Sequence, residues 1–221
     1  METYNPGYIC NHSDHSGRYA YNQQPQMGLW NLSALAQALS PLIAHAKAEE
    51  ILDSYGDIYS EHYVRLMSQK LGLTYAGLED FEVIEPLLKV MQASQLDFTN
   101  MFRSLSQFKS DPKKNNAMLR DQLVDRAKFD HWSDLYRARL ADESNSDAER
   151  KECMNRVNPK YILRNYLAQA AISKAEKERD FSEVDRLLVL LAHPFDEQPE
   201  MESYAAPAPE WARHIEVSCS S

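Results

Sequence analysis

The stretch FDHWSDLYRARL, Phe129–Leu140, places Phe129, Trp132, Tyr136 and Leu140 three or four residues apart. That spacing puts all four on one side of a helix. Arg126, Arg137, Arg139 and Glu143 fall on or beside the opposite, solvated side. Arginines interleaved with acids on a helix read as an ion-pair face rather than a phosphate grip. The segment therefore predicts a long amphipathic helix with an aromatic stripe facing a core.

The same period recurs outward from it. Leu32, Leu35, Ala36, Leu39 and Ile43 form a stripe behind a candidate cap at Asn31. Tyr59, Tyr63, Leu66 and Met67 form another, ended by Gly72, and Phe81, Ile84, Leu88 and Met91 a third that contains Pro86. Asp97 or Thr99 can cap a short helix holding Met101, Phe102 and Leu105. Lys109–Asn116, KSDPKKNN, reads as a surface loop or linker. Beyond Trp132, Asn158-Pro159 predicts a helix start with Leu163, Tyr166, Leu167 and Ala170 inward. Asp180 and Glu183 suggest a capping box ahead of Val184, Leu187, Leu188 and Leu191. Four prolines after His193 forbid a continuous helix, so the tail is expected to run extended, pinned by Tyr204 and Trp211. No strand ladder and no repeat are visible, and the fold class is all-α.

Bulk properties exclude several functions. The 221 residues carry a net charge of −9 without a Lys/Arg cluster, which argues against a nucleic-acid partner, because such affinity comes from cations that displace counterions. No apolar run approaches the roughly 20 residues of a membrane span, and the expectation is a cytoplasmic protein with no membrane partner. Cys10, Cys153 and Cys219 are too few and too scattered for a disulfide framework or a paired-cysteine metal site. No two glycines stand two residues apart, so no glycine-rich phosphate cradle exists, and no hydrolase or kinase catalytic motif occurs.

The densest chemistry lies in YNPGYICNHSDHSGRYAYNQQP, Tyr4–Pro25. His12, Asp14 and His15 offer two imidazoles and a carboxylate, a set compatible with zinc or manganese. Three ligands crowded on a tight loop rarely all point inward, so side chains that cap turns are the favoured reading and no metal site is assigned. Cys10, two residues from His12, could be a lowered thiol or an inert apolar group, and the residues alone favour the second.

Six blocks carry a more specific message: NPGYICNHSDHSGRYAYNQQPQMGLWNL, DFTNMFRSLS, HWSDLYRARL, MNRVNPKYILRNYLAQAAISKAE, LLAHPFDEQP and the ending WARHIEVSCSS. Together, in this order along the whole chain, they resemble the selenoprotein O family. The resemblance implies a protein-kinase-like fold, ATP with Mg or Mn as cofactors, and transfer of AMP to Ser, Thr or Tyr hydroxyls of protein substrates. In the family the ATP-gripping Lys and Glu, the catalytic Asp and the metal ligands precede the NPGYICNHSD block. No position here matches them, so no catalytic residue is carried over, and the chain alone is expected to bind no cofactor and to be inactive without the missing N-terminal part of the enzyme.

The organisation this implies is an activation-segment-like region over 1–30, the helical remainder of a kinase-like large lobe over 31–110, a C-terminal helical region over 115–192 and an extended tail over 193–221. His12, Asp14, His15 and Arg18 would flank an active site. Cys219 matches the place where eukaryotic members carry selenocysteine, and the resemblance suggests a redox disulfide between Cys10 and Cys219. A eukaryotic source would imply mitochondria. The alternative is a non-catalytic helical binding module or inactive remnant. A hydrolase using His12, Asp14 and His15 ranks last, because no nucleophile or base stands beside them.

Overall fold

A computed structural model describes residues 3–11 and 13–215. Among them the chain forms ten α-helices: α1 Gln24–Ala38, α2 His45–Asp53, α3 Tyr55–Lys70, α4 Phe81–Ala93, α5 Phe98–Leu105, α6 Ala117–Arg120, α7 Arg126–Leu140, α8 Asp147–Val157, α9 Asn165–Glu178 and α10 Ser182–Ala192. Short 3-10 turns occupy Tyr21–Gln23, Leu78–Asp80, Pro199–Ala205 and Glu210–His214, and no strand occurs among the described residues. The architecture is all-α, as the periodicity predicts.

The aromatic stripe of α7 anchors the larger of two apolar clusters. Phe129, Trp132 and Tyr136 are fully enclosed, and α7 makes its most extensive pairing with α4. Trp132 stacks on Tyr136 at 5.1 Å between ring centres and meets Phe108 at 5.9 Å edge-on. Its indole Nε1 donates to the Val83 carbonyl of α4 at 3.0 Å, so the one polar atom of the ring is satisfied inside the core. Leu105 and Phe108 before Lys109–Asn116, and Leu119 and Leu123 after it, join this same cluster. The second cluster gathers Tyr161, Leu167, Ala171, Leu187 and Leu190 from α9, α10 and the approach to α9.

Several expectations about helix ends fare well. Asp97 caps α5 by accepting from the Asn100 amide at 2.9 Å. Gly72 lies at φ +73°, and a Cβ there would sit 2.5 Å from Arg150 Cγ, so both conformation and space require glycine. Arg139 is an ion-pair residue, joined to the buried Asp80 at 2.7 Å and to Glu143 at 2.9 Å.

Others are corrected. α1 begins at Gln24 rather than beyond Asn31, because Pro25 in its first turn has the backbone torsion a helix needs. It ends at Ala38, leaving Ile43 outside. Pro86, which the residues alone leave either near the first turn or at a bend, sits inside α4. Asn158 ends α8 instead of opening a helix. Its amide is spent on tertiary bonds, Nδ2 donating to the Lys70 carbonyl at 2.8 Å and Oδ1 accepting from Lys70 Nζ at 3.3 Å.

In α9 the buried pair is Leu167 and Ala171, with Leu163 exposed, and in α10 it is Leu187 and Leu190 with Leu188 exposed. Asp180 receives the Ser182 amide at 2.8 Å, which with Lys174 lowers its carboxyl to about 2, while Glu183 turns to Tyr204 instead of completing a box. The reciprocal box belongs to α8, between Ser146 and Glu149. Over its described part, 193–215, the tail is pinned by Tyr204 and Trp211 as expected, and within it Pro199–Ala205 and Glu210–His214 form 3-10 turns rather than extended chain.

Candidate functional site

Tyr4–Pro25 is a closed loop, not a frayed end. Its base is zipped where the Tyr21 amide donates to the Tyr8 carbonyl and the Asn22 amide to the Pro6 carbonyl, each at 2.9 Å. The Tyr4 amide donates to Leu96 at 2.7 Å, and the buried Tyr4 ring packs on Phe98. This fixes the loop to the larger core.

Asp14 organises the tip. Its carboxylate accepts from the Tyr19 amide at 2.7 Å, the Arg18 amide at 3.0 Å and the Ser16 hydroxyl at 3.3 Å. These bonds, that from Tyr19 foremost, hold its carboxyl below the usual aspartate range. A carboxyl lowered on folding stabilises the loop above its ordinary pKa, and the contribution is lost as the pH falls through the lower folded value. We expect Asp14→Ala to speed amide exchange at Arg18 and Tyr19 at least tenfold at neutral pH. In the unaltered chain the same two amides should loosen only in strong acid. Unchanged exchange in the variant would remove Asp14 from this role.

Arg18 turns away from the loop and lies over the Trp30 ring of α1, 4.4 Å from its centre, with Nε 3.3 Å from the Met27 sulfur. Cys10 and His15 are exposed. His12 and Cys219 lie outside the described residues, and with them the predicted Cys10–Cys219 pair. The structure thus brings Asp14 and Arg18 into one loop but points their functional groups at different partners. No group of three His, Cys, Asp or Glu side chains converges among the described residues.

Beneath the loop is a pocket of about 560 Å³ that sequence reasoning missed. It is lined by Tyr4, Tyr21, Tyr55, Tyr59 and Tyr63, with Pro25 at its edge. Tyr55, Tyr59 and Tyr63 stack in turn along α3 at about 6 Å spacing, the i, i+4 pattern that could have announced the ladder. The Tyr55 hydroxyl donates to the Pro25 carbonyl at 3.0 Å, and Gly28 permits this close approach, since a Cβ there would stand 2.7 Å from that oxygen. Burial pushes the Tyr4, Tyr21 and Tyr63 phenols up, so they act as neutral hydrogen-bonding and stacking groups. Such a site can hold and orient a partner by stacking and hydrogen bonds.

No helix among the described residues is long and apolar enough to cross a membrane. Comparison with known proteins places the chain further. The family model described as "Protein adenylyltransferase SelO" matches residues 1–192. The chain is 49% identical over its whole length to the protein nucleotidyltransferase YdiU of Pectobacterium carotovorum subsp. carotovorum (strain PC1), and covers 45% of that protein. It is 51% identical to YdiU of Thioalkalivibrio sulfidiphilus (strain HL-EbGR7), covering 46% of it, and 48% identical to YdiU of Myxococcus xanthus (strain DK1622), covering 45%. The chain thus spans a little under half the length of these relatives. With a match extending over most of its residues, the chain belongs to the SelO protein adenylyltransferase family.

Proposed function

We propose that this chain is the C-terminal part of a SelO-type protein adenylyltransferase, which transfers AMP from ATP to Ser, Thr or Tyr hydroxyls of proteins. In this reading the ATP- and metal-handling groups reside in the part of the relatives that lies outside the match. The observation that carries it is the family match across 192 residues, joined to a loop at Tyr4–Pro25 that is built in detail.

The residues described here do not fit a metal-bound nucleotide. The Asp14 oxygens are taken by two backbone amides and a hydroxyl, and Arg18 is spent on Trp30. What this chain contributes is a positioned loop: Asp14 sets its shape, the Tyr21–Tyr8 and Asn22–Pro6 backbone bonds hold its base, and His15 and Cys10 are exposed. The kinase-like large lobe, the Mg or Mn requirement and the redox pairing of Cys10 with Cys219 belong to the same proposal. A non-catalytic helical binding module is the second reading, favoured by the uncovered apolar face of α1.

Labelled ATP with Mg or Mn separates the two. The purified chain alone is expected to label neither itself nor added protein. The chain co-expressed with the unmatched portion of Pectobacterium YdiU is expected to label protein hydroxyls in a form resistant to hydroxylamine. Self-labelling by the chain alone would overturn the assignment of the chemistry to the absent part.

A further inference from the structure

From Tyr19 to Ala46 the chain runs for 28 residues without an Asp, Glu, Lys or Arg. A surface helix normally carries charged or polar residues on its solvated side, and large apolar side chains belong on its covered side; α1 has only the uncharged Gln24, Gln26, Asn31, Ser33 and Gln37 as polar positions. α1 lies in the middle of this run, yet none of its residues is buried. Trp30 and Leu35 are each 53% exposed.

Leu32, Leu35, Leu39, Ile43, Ile51 and Ile58 line an aliphatic groove of about 320 Å³ formed with α2 and α3. At its first turn, through Gln24 and Pro25, α1 also borders the tyrosine pocket. Every other α-helix among the described residues has at least one buried residue, α4 and α7 five each, whereas α1 has none. The relatives that share about half of this chain's residues, α1 included, are more than twice as long.

We infer that α1 is the central helix of a core whose other half is the polypeptide that YdiU-type relatives carry outside the stretch matched here, and that this polypeptide docks in the Leu32–Leu35–Ile58 groove. The inference rests on the adenylyltransferase reading for the identity of the partner. Its surface is independent of where the chemistry takes place.

The test co-expresses the tagged chain with the unmatched portion of Pectobacterium carotovorum YdiU and measures what is co-purified. A 1:1 complex is expected by light scattering. Leu35→Glu should reduce recovery of the partner at least tenfold while leaving the helical circular dichroism of the chain unchanged, because Leu35 is 53% exposed and belongs to neither buried cluster. Leu188→Glu, at a more exposed apolar position on α10, should leave recovery intact. Absence of partner in the wild-type preparation, or equal recovery with Leu35→Glu, overturns the inference. So does a homodimer of the chain that Leu35→Glu dissolves while no partner is captured. A complex that forms through this groove but transfers no labelled AMP would sink the functional reading and leave the docking surface standing.

Discussion

Trp132→Ala is expected to lower the free energy of unfolding by about 3 to 5 kcal/mol, the cost of emptying a large enclosed aromatic site. The ring is inaccessible, touches Phe108, Phe129 and Tyr136, and spans from α7 to the backbone of α4. Its removal opens a hole at the pairing of α4 with α7 and loses the indole's bond to the Val83 carbonyl. Since folded domains are stable by only about 5 to 15 kcal/mol in all, the variant is expected to melt near growth temperature or to be recovered as aggregate. Trp132→Phe separates the two contributions. It keeps most of the volume and loses the bond to Val83, for an expected cost of about 1 to 2 kcal/mol. Urea unfolding followed by circular dichroism reads both. A loss below 1 kcal/mol for the alanine variant would show that the pairing of α4 and α7 stands without its central ring.

Arg164→Met is expected to cost about 3 to 5 kcal/mol for a different reason, the stranding of a buried charge. Arg164 precedes α9, and its guanidinium pairs with Asp97 at the start of α5 and donates to Asn100 Oδ1 at 3.1 Å. The two side chains are 2% and 10% exposed. The pair therefore ties the start of α9 to the start of α5 with both side chains largely shielded from water. Methionine fills much of the volume but leaves the Asp97 carboxylate without its counterion. Adding Asp97→Asn to Arg164→Met removes that charge while keeping the oxygen that caps α5, so the double variant should regain at least half of the loss. If the double variant is as unstable as the single one, the charge is not the cause. Arg103→Met is a useful contrast, since its partner Glu197 is largely exposed and water can take over that carboxylate.

How far residues alone lead depends on whether a signal is local. The stripes of α4, α5 and α7 were legible because each repeats every three or four residues and meets one core. In α3 the helix was legible, but its buried positions are Val64, Met67 and Ser68, with Tyr59 and Leu66 exposed. α1 was legible as a helix but not as an uncovered one, since its stripe has the same pattern as those that are buried and differs in lacking any charge opposite. Asn158 was misread because asparagine before proline has a strong local preference, and only the fold brings Lys70 from 88 residues away to claim its side chain. In the opening loop, the density of polar groups marked a stretch that the structure ties down with backbone and side-chain bonds. The expectation that its side chains serve turns describes Asp14 well, whereas the engagement of Arg18 with Trp30 needed the path of α1. The tyrosine pocket joins residues from Tyr4 to Tyr63, and no single window of sequence contains it.

Arg103 ties the end of the chain to its middle: its guanidinium binds the carbonyls of Asn155, Asn158 and Phe195 together with the Glu197 carboxylate. Because a polypeptide emerges from the ribosome in order, this side chain must wait for 94 further residues before its last acceptor is made. A nascent chain stalled short of Phe195 would hold half of that set, and synthesis through the final turns is the event that closes the latch.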